Sequence, residues 1–383
     1  MKRKLLIMIS LAFVLQGCVN NKKRNDNFYR QPDSQANISY QKLDLDSIPL
    51  DSVTTSFVVE SGLCDSIFYV LDRYFCTLYR YDLSGKLIDK KLGQGRAKNE
   101  TSIGRIASHV FLDNGDLVLL DYNGSYSFYD KDILMKDYLR VLYERGKNDG
   151  RSFSERYSDP YSYSRRYENL ICRSYDKAIY FNAELSSLDC GYIPTTDMHL
   201  ERNANILEMD LEKEEFGRLL AVGFPESYKI NSLNKVLFSD VSFDIAENGD
   251  FYVSYQADSL LYHYNHSYEE LESYGFSGRD MNMAYVKIDD FEVMSKYYMS
   301  EKQSKGYYTW LEYVDETGLL FRSYQKGGSQ STDGLQIYKD GVLLGDINVP
   351  KGLKVMGYVS PYYYSYVIAD EEREIMYMYR FKL

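Results

Sequence analysis

A unit of short strands, ended by an aspartate and joined by glycine-bearing turns, returns several times along this chain. The first copy reads Ser66-Ile67-Phe68-Tyr69-Val70-Leu71-Asp72, then Thr77-Leu78-Tyr79-Arg80-Tyr81-Asp82. The turn Leu83-Ser84-Gly85-Lys86 leads on to a third strand over 87–92. Runs rich in aromatic and β-branched residues, bounded by Gly, Ser and Asp, are strand signals, and glycine supplies the positive φ of a tight turn. Asp121 follows Asp72 by 49 residues and closes the matching run Val118-Leu119-Leu120. Asn114-Gly115-Asp116 opens that second copy, and Tyr126-Ser127-Phe128-Tyr129-Asp130 continues it. Glu247-Asn248-Gly249-Asp250 opens a third, with strands over 251–255 and 260–265. It ends on Tyr274-Gly275-Phe276-Ser277-Gly278-Arg279, much as the first ends on Lys91-Leu92-Gly93-Gln94-Gly95-Arg96. Another copy runs from Thr317-Gly318-Leu319 to the turn Lys339-Asp340-Gly341, and an alternating pair, 362–369 and 375–382, ends the chain.

Several strands in each period of about 45 to 50 residues are the signature of β-propeller blades. With 40 Tyr and 18 Phe but only seven Pro, the composition also favours strands over other structure. The sequence therefore predicts an all-β fold, a six-bladed β-propeller over residues 50–383, with seven blades as the alternative count. A single blade cannot bury both faces of its sheet, so the ring must close. The expected closure pairs a strand from 52–60 with the C-terminal hairpin, and Leu71, Leu120 and Val253 are expected in the core. Two stretches interrupt the pattern. Residues 144–168 are polar and rich in Arg, Ser and Tyr, and 289–303 has the spacing of a short amphipathic helix. A helix over 211–220 is a further expectation. Cys64 and Cys76 fall at opposite ends of the first hairpin, too far apart to bridge, so they and Cys172 and Cys190 are expected as free thiols.

The N-terminus carries an address. Lys2-Arg3-Lys4, an apolar stretch of 11 residues over 5–15, and Gln16-Gly17-Cys18 describe a secretory signal too short to span a bilayer. The ending Leu15-Gln16-Gly17-Cys18 resembles the lipobox of bacterial lipoproteins, which implies cleavage after residue 17 and acyl chains on Cys18. Residues 18–49 are then the lipidated N-terminus and a flexible polar tether. Without residues 1–17 the balance is 42 basic to 56 acidic residues, a formal charge of −14. Such a surface repels phosphate backbones and anionic lipid, so no nucleic-acid partner is expected. Membrane attachment rests on the acyl chains at Cys18, two or more being needed for durable anchoring.

Residues 66–96 and 247–279 together resemble the six-bladed propeller lipoproteins of Bacteroidota, with Asp82-Leu83-Ser84-Gly85-Lys86 as the shared turn. Gly93-Gln94-Gly95 with Glu100 fits their Gly-x-Gly-Pro-Gly-Glu loop in part, Arg96-Ala97-Lys98 replacing its Pro-Gly. The resemblance implies a fold and an envelope location but no reaction. Surface lipoproteins of that group carry an acidic export signal after the cysteine. Val19-Asn20-Asn21-Lys22-Lys23 lacks it, which places the protein on the periplasmic side of the outer membrane.

No catalytic constellation is legible. Gly93-Gln94-Gly95 lacks the helix and Lys-Ser/Thr pair of a phosphate loop, and the segment around Asp44-Leu45-Asp46 lacks the glycine and glutamate of a calcium loop. His263 and His266 fall on opposite faces of a strand, and His109 and His199 have no visible partners. The reading is a non-enzymatic binding or protein-interaction module, without cofactor or metal, for a glycan or an envelope protein. Tyr157, Tyr161, Tyr163, Arg165 and Arg166 are its candidate ligand surface. The alternative is a propeller lyase or lactonase with a metal near the central axis.

Overall fold

The computed structural model describes residues 42–141, 150–166, 169–185, 197–230, 238–285 and 291–383. The signal segment, Cys18, the tether up to residue 41, and Cys190 lie outside the described residues. The strands form six sheets. A short strand β1 (Asp46–Pro49) precedes blade 1, which comprises β2 (Val59–Cys64), β3 (Ile67–Asp72), β4 (Thr77–Tyr81) and β5 (Leu87–Leu92). Blade 2 has β6 (Ile106–Phe111), β7 (Leu117–Asp121), β8 (Ser125–Tyr129) and β9 (Met135–Arg140). Blade 3 has β10 (Tyr163–Arg165), β11 (Cys172–Tyr175), β12 (Ala178–Leu185), β13 (Ala204–Asp210) and β14 (Glu215–Val222). Blade 4 has β15 (Val241–Ile245), β16 (Phe251–Tyr255), β17 (Leu261–Tyr264) and β18 (Glu270–Tyr274). Blade 5 has β19 (Tyr307–Val314), β20 (Leu319–Gln325), β21 (Asp333–Lys339) and β22 (Val342–Val349). Blade 6 has β23 (Val355–Val359), β24 (Tyr362–Ser365), β25 (Ile368–Asp370) and β26 (Ile375–Phe381), and β1 completes it.

The first strands β2, β6, β11, β15, β19 and β23 each touch the next around the axis, and β23 touches β2, so the ring is closed. Second strands are apolar on both faces because each face meets a different neighbour. On β3, Phe68 and Val70 pack towards blade 6, with the rings of Phe68 and Tyr364 5.1 Å apart, while Tyr69 and Leu71 pack towards blade 2. Leu71, Leu120 and Val253 are fully buried. The aspartates that end these strands cap the following turn: Asp72 accepts from the N–H groups of Tyr74 and Phe75 at 2.9 and 2.7 Å, and Asp121 from those of Asn123 and Ser125 at 2.7 Å. Burial alone would raise the pKa of Asp72, but these bonds and those from Ser56 and Thr55 outweigh it and hold the carboxyl below its ordinary range.

Closure differs from expectation in its strand. Residues 52–58 are not a strand, and Val59–Cys64 is the innermost strand of blade 1. The closing strand is β1, antiparallel to β26 with Asp46 opposite Arg380 and Pro49 opposite Tyr377. The ring therefore includes residues assigned to the tether, and Leu43, Ile48 and Leu50 are buried. Asp46-Ser47-Ile48-Pro49 reads as linker because an outermost strand tolerates charge and proline. The chain then crosses onto blade 1, where the Asp51 N–H donates to the Gly85 carbonyl at 3.0 Å. Gly85 is at φ +86°, and a Cβ there would lie 2.2 Å from the Pro49 carbonyl oxygen, so only glycine fits this crossing.

Residues 211–220 are not a helix but a turn leading into β14. The apolar spacing of Leu211, Phe216, Leu219 and Leu220 fits both periods, and pairing with β13 decides for the strand. The helical expectation at 289–303 holds: a helix spans Phe291–Ser304. Within 144–168 the described part forms a short helix, Phe153–Tyr157, one 3-10 turn and β10. Cys64, Cys76 and Cys172 are free; Cys76 and Cys172 are buried and Cys64 is half-buried.

Removing residues 372–383 takes away the partner of both β1 and β24. The expected outcome is loss of the whole ring's single melting transition. A truncated chain that kept the wild-type transition would show that closure is not needed.

Candidate functional site

The axis is lined by whatever the first strands direct away from the blade cores. Five of those strands carry one charged residue or histidine among uncharged neighbours: Glu60 on β2, His109 on β6, Arg173 on β11, Asp244 on β15 and Glu312 on β19. Strand alternation sends the neighbours into the core and these side chains to the axis. With Trp310 of β19 and Tyr366 of blade 6 they line an axial cavity of about 260 Å³. A wider basin of about 480 Å³ lies at the mouth formed by the connections between blades. One of about 590 Å³ lies at the opposite mouth, where Asp65, Glu247, Asp315 and Glu316 make it acidic.

Arg173 organises the waist. Its Nε donates to Asp244 Oδ1 at 2.5 Å and its Nη2 lies 3.0 Å from Glu312 Oε2, linking three blades. The guanidinium sits 4.9 Å from the centre of the Trp310 ring, and Lys354 Nζ 5.2 Å from it. Trp310 is fixed by its indole N–H, which donates to the Val355 carbonyl at 2.9 Å, and by the Tyr366 ring at 4.7 Å. Asp244 also accepts the Tyr313 N–H at 2.7 Å. Burial opposes the Arg173 charge, but Asp244 and Glu312 outweigh it and keep the group charged. Glu312 is raised well above its ordinary range by burial and by the neighbouring Asp244, against the pull of Arg173.

Glu60 and Lys354 form the second charged element. Burial raises Glu60 against the opposing pull of Arg73 and Lys354, and burial lowers Lys354 against the pull of Glu60. Arg73 is paired with Glu60 at 3.3 Å. His109 is half-buried on the channel wall, and its pKa is lowered to about 4 by burial and by the charge of Arg173. Its Nδ1 has no hydrogen-bond partner among the described residues. A Cβ on Gly62 would lie 2.8 Å from His109 Nε2, so the glycine makes room for this imidazole. The Arg173 donors are committed within the protein. His109, Glu60, Lys354 and Tyr366 are therefore the groups that can exchange hydrogen bonds with a small polar molecule in the channel. Among the described residues no group of three or more His, Cys, Asp or Glu side chains is placed to hold a metal ion.

The five residues expected as a ligand surface lie elsewhere, in a packed junction. Tyr157, Tyr163 and Arg165 are buried. The Tyr163 hydroxyl donates to the Tyr157 carbonyl at 3.2 Å, and the half-buried Tyr161 packs on Phe216 with centroids 5.1 Å apart. Arg165 lies 4.1 Å over the Tyr126 ring and donates to the carbonyls of Asp121 and Ser125 in blade 2. Arg166 pairs with Asp240 at 3.0 Å and Glu184 at 3.4 Å. These side chains tie blade 3 to its neighbours, and burial removes most of them from solvent. His263 lies on β17, where it stacks on Tyr252 and meets Asp250 at 3.1 Å, while His266 lies not on the strand but in the turn after it and packs against Tyr175.

No family model matches the chain, and no curated protein is significantly similar to it. Solved structures share its fold. A member of the DUF4221 family from Bacteroides vulgatus superimposes with a TM-score of 0.59 at 10% identity, over 90% of this chain and 98% of that one. A protein of Bacteroides fragilis named as exported gives 0.52 at 13% identity, over 89% and 96%. These likenesses establish the six-bladed propeller and nothing about the axial chemistry. No helix among the described residues is long and apolar enough to cross a membrane, which leaves strand-built spans unaddressed.

Two outcomes test the waist. Arg173→Ala leaves Asp244 and Glu312 without their cation and should cost about 3 to 5 kcal/mol, read from the urea midpoint. Arg173→Lys should restore only part, because an ammonium cannot span both carboxylates. The second concerns pH. A histidine whose pKa falls from 6.5 to about 4 on folding contributes stability present above pH 6.5, lost as pH falls towards 4. At about 1.4 kcal/mol per unit this amounts to roughly 1 to 3 kcal/mol for the half-buried His109. His109→Gln should flatten the stability profile between about pH 6.5 and 4 relative to wild type. Parallel profiles would show that His109 does not titrate in that way.

Proposed function

We propose that this is an exported propeller, held to the periplasmic side of the outer membrane by acyl chains on Cys18, that captures a small polar ligand in its axial channel. The observation that carries the reading is convergence: Glu60, His109, Arg173, Asp244, Glu312 and Tyr366, one from each of the six blades, line a single cavity of about 260 Å³. A channel needed only for closure would be cheaper to fill with apolar side chains, since buried ions cost desolvation that their pairing offsets only in part. The unpartnered Nδ1 of His109 supports a site that is completed by a ligand. The chain joins the ring at β1, the outermost strand of blade 6 and the one farthest from the axis. The naming of a Bacteroides fragilis protein of this fold as exported supports export. The volume suits a small molecule, or the tip of a glycan or protein partner, more than a large buried group.

Metabolic labelling with a fatty acid tests the anchor: wild type should be marked and Cys18→Ala should not. Equilibrium dialysis of the purified full chain against low-molecular-mass envelope extract, read by mass spectrometry, tests the channel. A species should be enriched by wild type and lost with His109→Ala. No enrichment, or equal enrichment by the variant, overturns the axial reading.

A further inference from the structure

The chain has ten glutamines, of which only six fall within residues 42–383. Four of those six line one basin, the 480 Å³ mouth on the side of the connections between blades. They come from separate places: Gln256 from the β16–β17 connection, Gln303 from the helix Phe291–Ser304, and Gln325 and Gln330 from the end of β20 and the loop after it. Asn169 adds a fifth carboxamide. Chance placement of a rare residue type does not produce such a concentration.

The amides are fixed in part before any ligand arrives. Lys302 Nζ donates to Gln256 Oε1 at 2.8 Å, and the Gln325 Nε2 donates to the Lys302 carbonyl at 3.1 Å. Gln256 is buried, with 3% of its surface exposed. One lysine of the helix thus orients an amide from blade 4 and another from blade 5, which lowers the ordering cost of binding. The lysine charges here are partly offset. Lys354 faces Glu60 beneath the basin, and Lys351 lies near enough to Asp333 to act on its titration. Among the described residues no aliphatic side chain lines the basin, and Tyr307 supplies its aromatic surface.

A wall of this kind rejects an apolar ligand, which would desolvate amides without replacing their hydrogen bonds. Its five carboxamides outnumber its charged groups, Lys351, Lys354 and Asp333, so hydrogen bonding rather than net charge dominates the wall. It suits a molecule whose every polar group both donates and accepts, because a carboxamide does the same through its two ends. We infer that the basin is a binding site for an uncharged saccharide, with Gln256, Gln303, Gln325, Gln330 and Asn169 reading its hydroxyls and Lys354 as the floor towards the waist. The volume lies within the range of small-ligand sites. This deepens the reading of the propeller as a ligand-binding module and rests on it.

The test uses the purified full chain on a panel of immobilised neutral oligosaccharides, uronic-acid oligosaccharides and unstructured peptides, followed by calorimetric titration of the best neutral sugar. Neutral sugars should be retained, and Gln325→Ala/Gln330→Ala should weaken binding about tenfold while keeping a single cooperative melting transition. Gln325 is half-buried and Gln330 exposed, so the double variant should fold. Gln325→Glu, which keeps the shape and adds a charge, should weaken neutral sugars as well. Retention of uronic-acid sugars or peptides alone would overturn the uncharged-saccharide assignment and leave the binding module standing. Binding of neutral sugars that the double variant does not weaken would move the site away from the basin. Retention of nothing on the panel overturns the saccharide inference, and the dialysis with His109→Ala then decides separately whether the axial reading survives.

Discussion

Every blade of this ring is apolar on both faces, and that one constraint dictates the rest. Phe68 and Val70 need blade 6 while Tyr69 and Leu71, on the same strand, need blade 2. A sheet in this position has no solvent side, so a missing neighbour exposes a full face rather than an edge. The chain meets the requirement by splitting blade 6, taking β1 from one end of the sequence and β23 to β26 from the other. The crossing at Asp51 and Gly85 then fastens that shared blade to blade 1. Hydrophobic burial is non-directional and does not specify which blade follows which.

Order around the ring comes from buried arginines. Arg165 of blade 3 reaches the Asp121 and Ser125 carbonyls of blade 2. Arg322 of blade 5 lies over the Tyr308 ring and donates to Ser254 Oγ at 2.8 Å and to the carbonyls of Asp258 and Ser259 at 2.6 and 2.7 Å, all in blade 4. Arg173 joins blades 3, 4 and 5 at the axis. A planar fork with five donors satisfies several fixed acceptors at once, which a lysine cannot do. Each arginine left without its acceptors would be a buried charge, so a mispaired blade is penalised far more than by lost apolar contact.

The blade repeat was legible because its signals are local. The strand-ending Asp72 and Asp121 cap the turns that follow them, and Asn114-Gly115-Asp116 and Asn248-Gly249-Asp250 make the same turn twice, each asparagine amide donating to the aspartate at 3.0 Å. β1 was missed because an outermost strand carries the polar composition of a linker, and β14 because four apolar residues fit two periods. The junction residues Tyr157, Tyr163 and Arg165 read as a surface because polarity along the sequence says nothing about which neighbour covers a side chain. The axial set was invisible as a set. Its members are separated by up to 306 positions, from Glu60 to Tyr366, and meet only when the ring closes. A usable signal did exist: five of the six first strands hold one charged residue or histidine in an otherwise uncharged run, as in Ala107-Ser108-His109-Val110 or Ser242-Phe243-Asp244-Ile245.

That signal follows from geometry. In a propeller the first strand is the only element whose outward side chains meet neither a neighbouring sheet nor bulk solvent. They meet their counterparts from five other blades across a narrow channel. Apolar residues there would gain from burial, and polar ones survive only if paired, as Arg173 is with Asp244 and Glu312 and as Glu60 is with Arg73. The pairing is uneven along the axis. One mouth collects Asp65, Glu247, Asp315 and Glu316, while the other collects carboxamides with Lys351, Lys354 and Asp333. Low-dielectric walls focus the field of such fixed charges along the channel instead of letting water disperse it. A dipolar guest would therefore find one orientation favoured over the reverse before making any specific contact, and the waist at Arg173 and Trp310 sets how far it can travel.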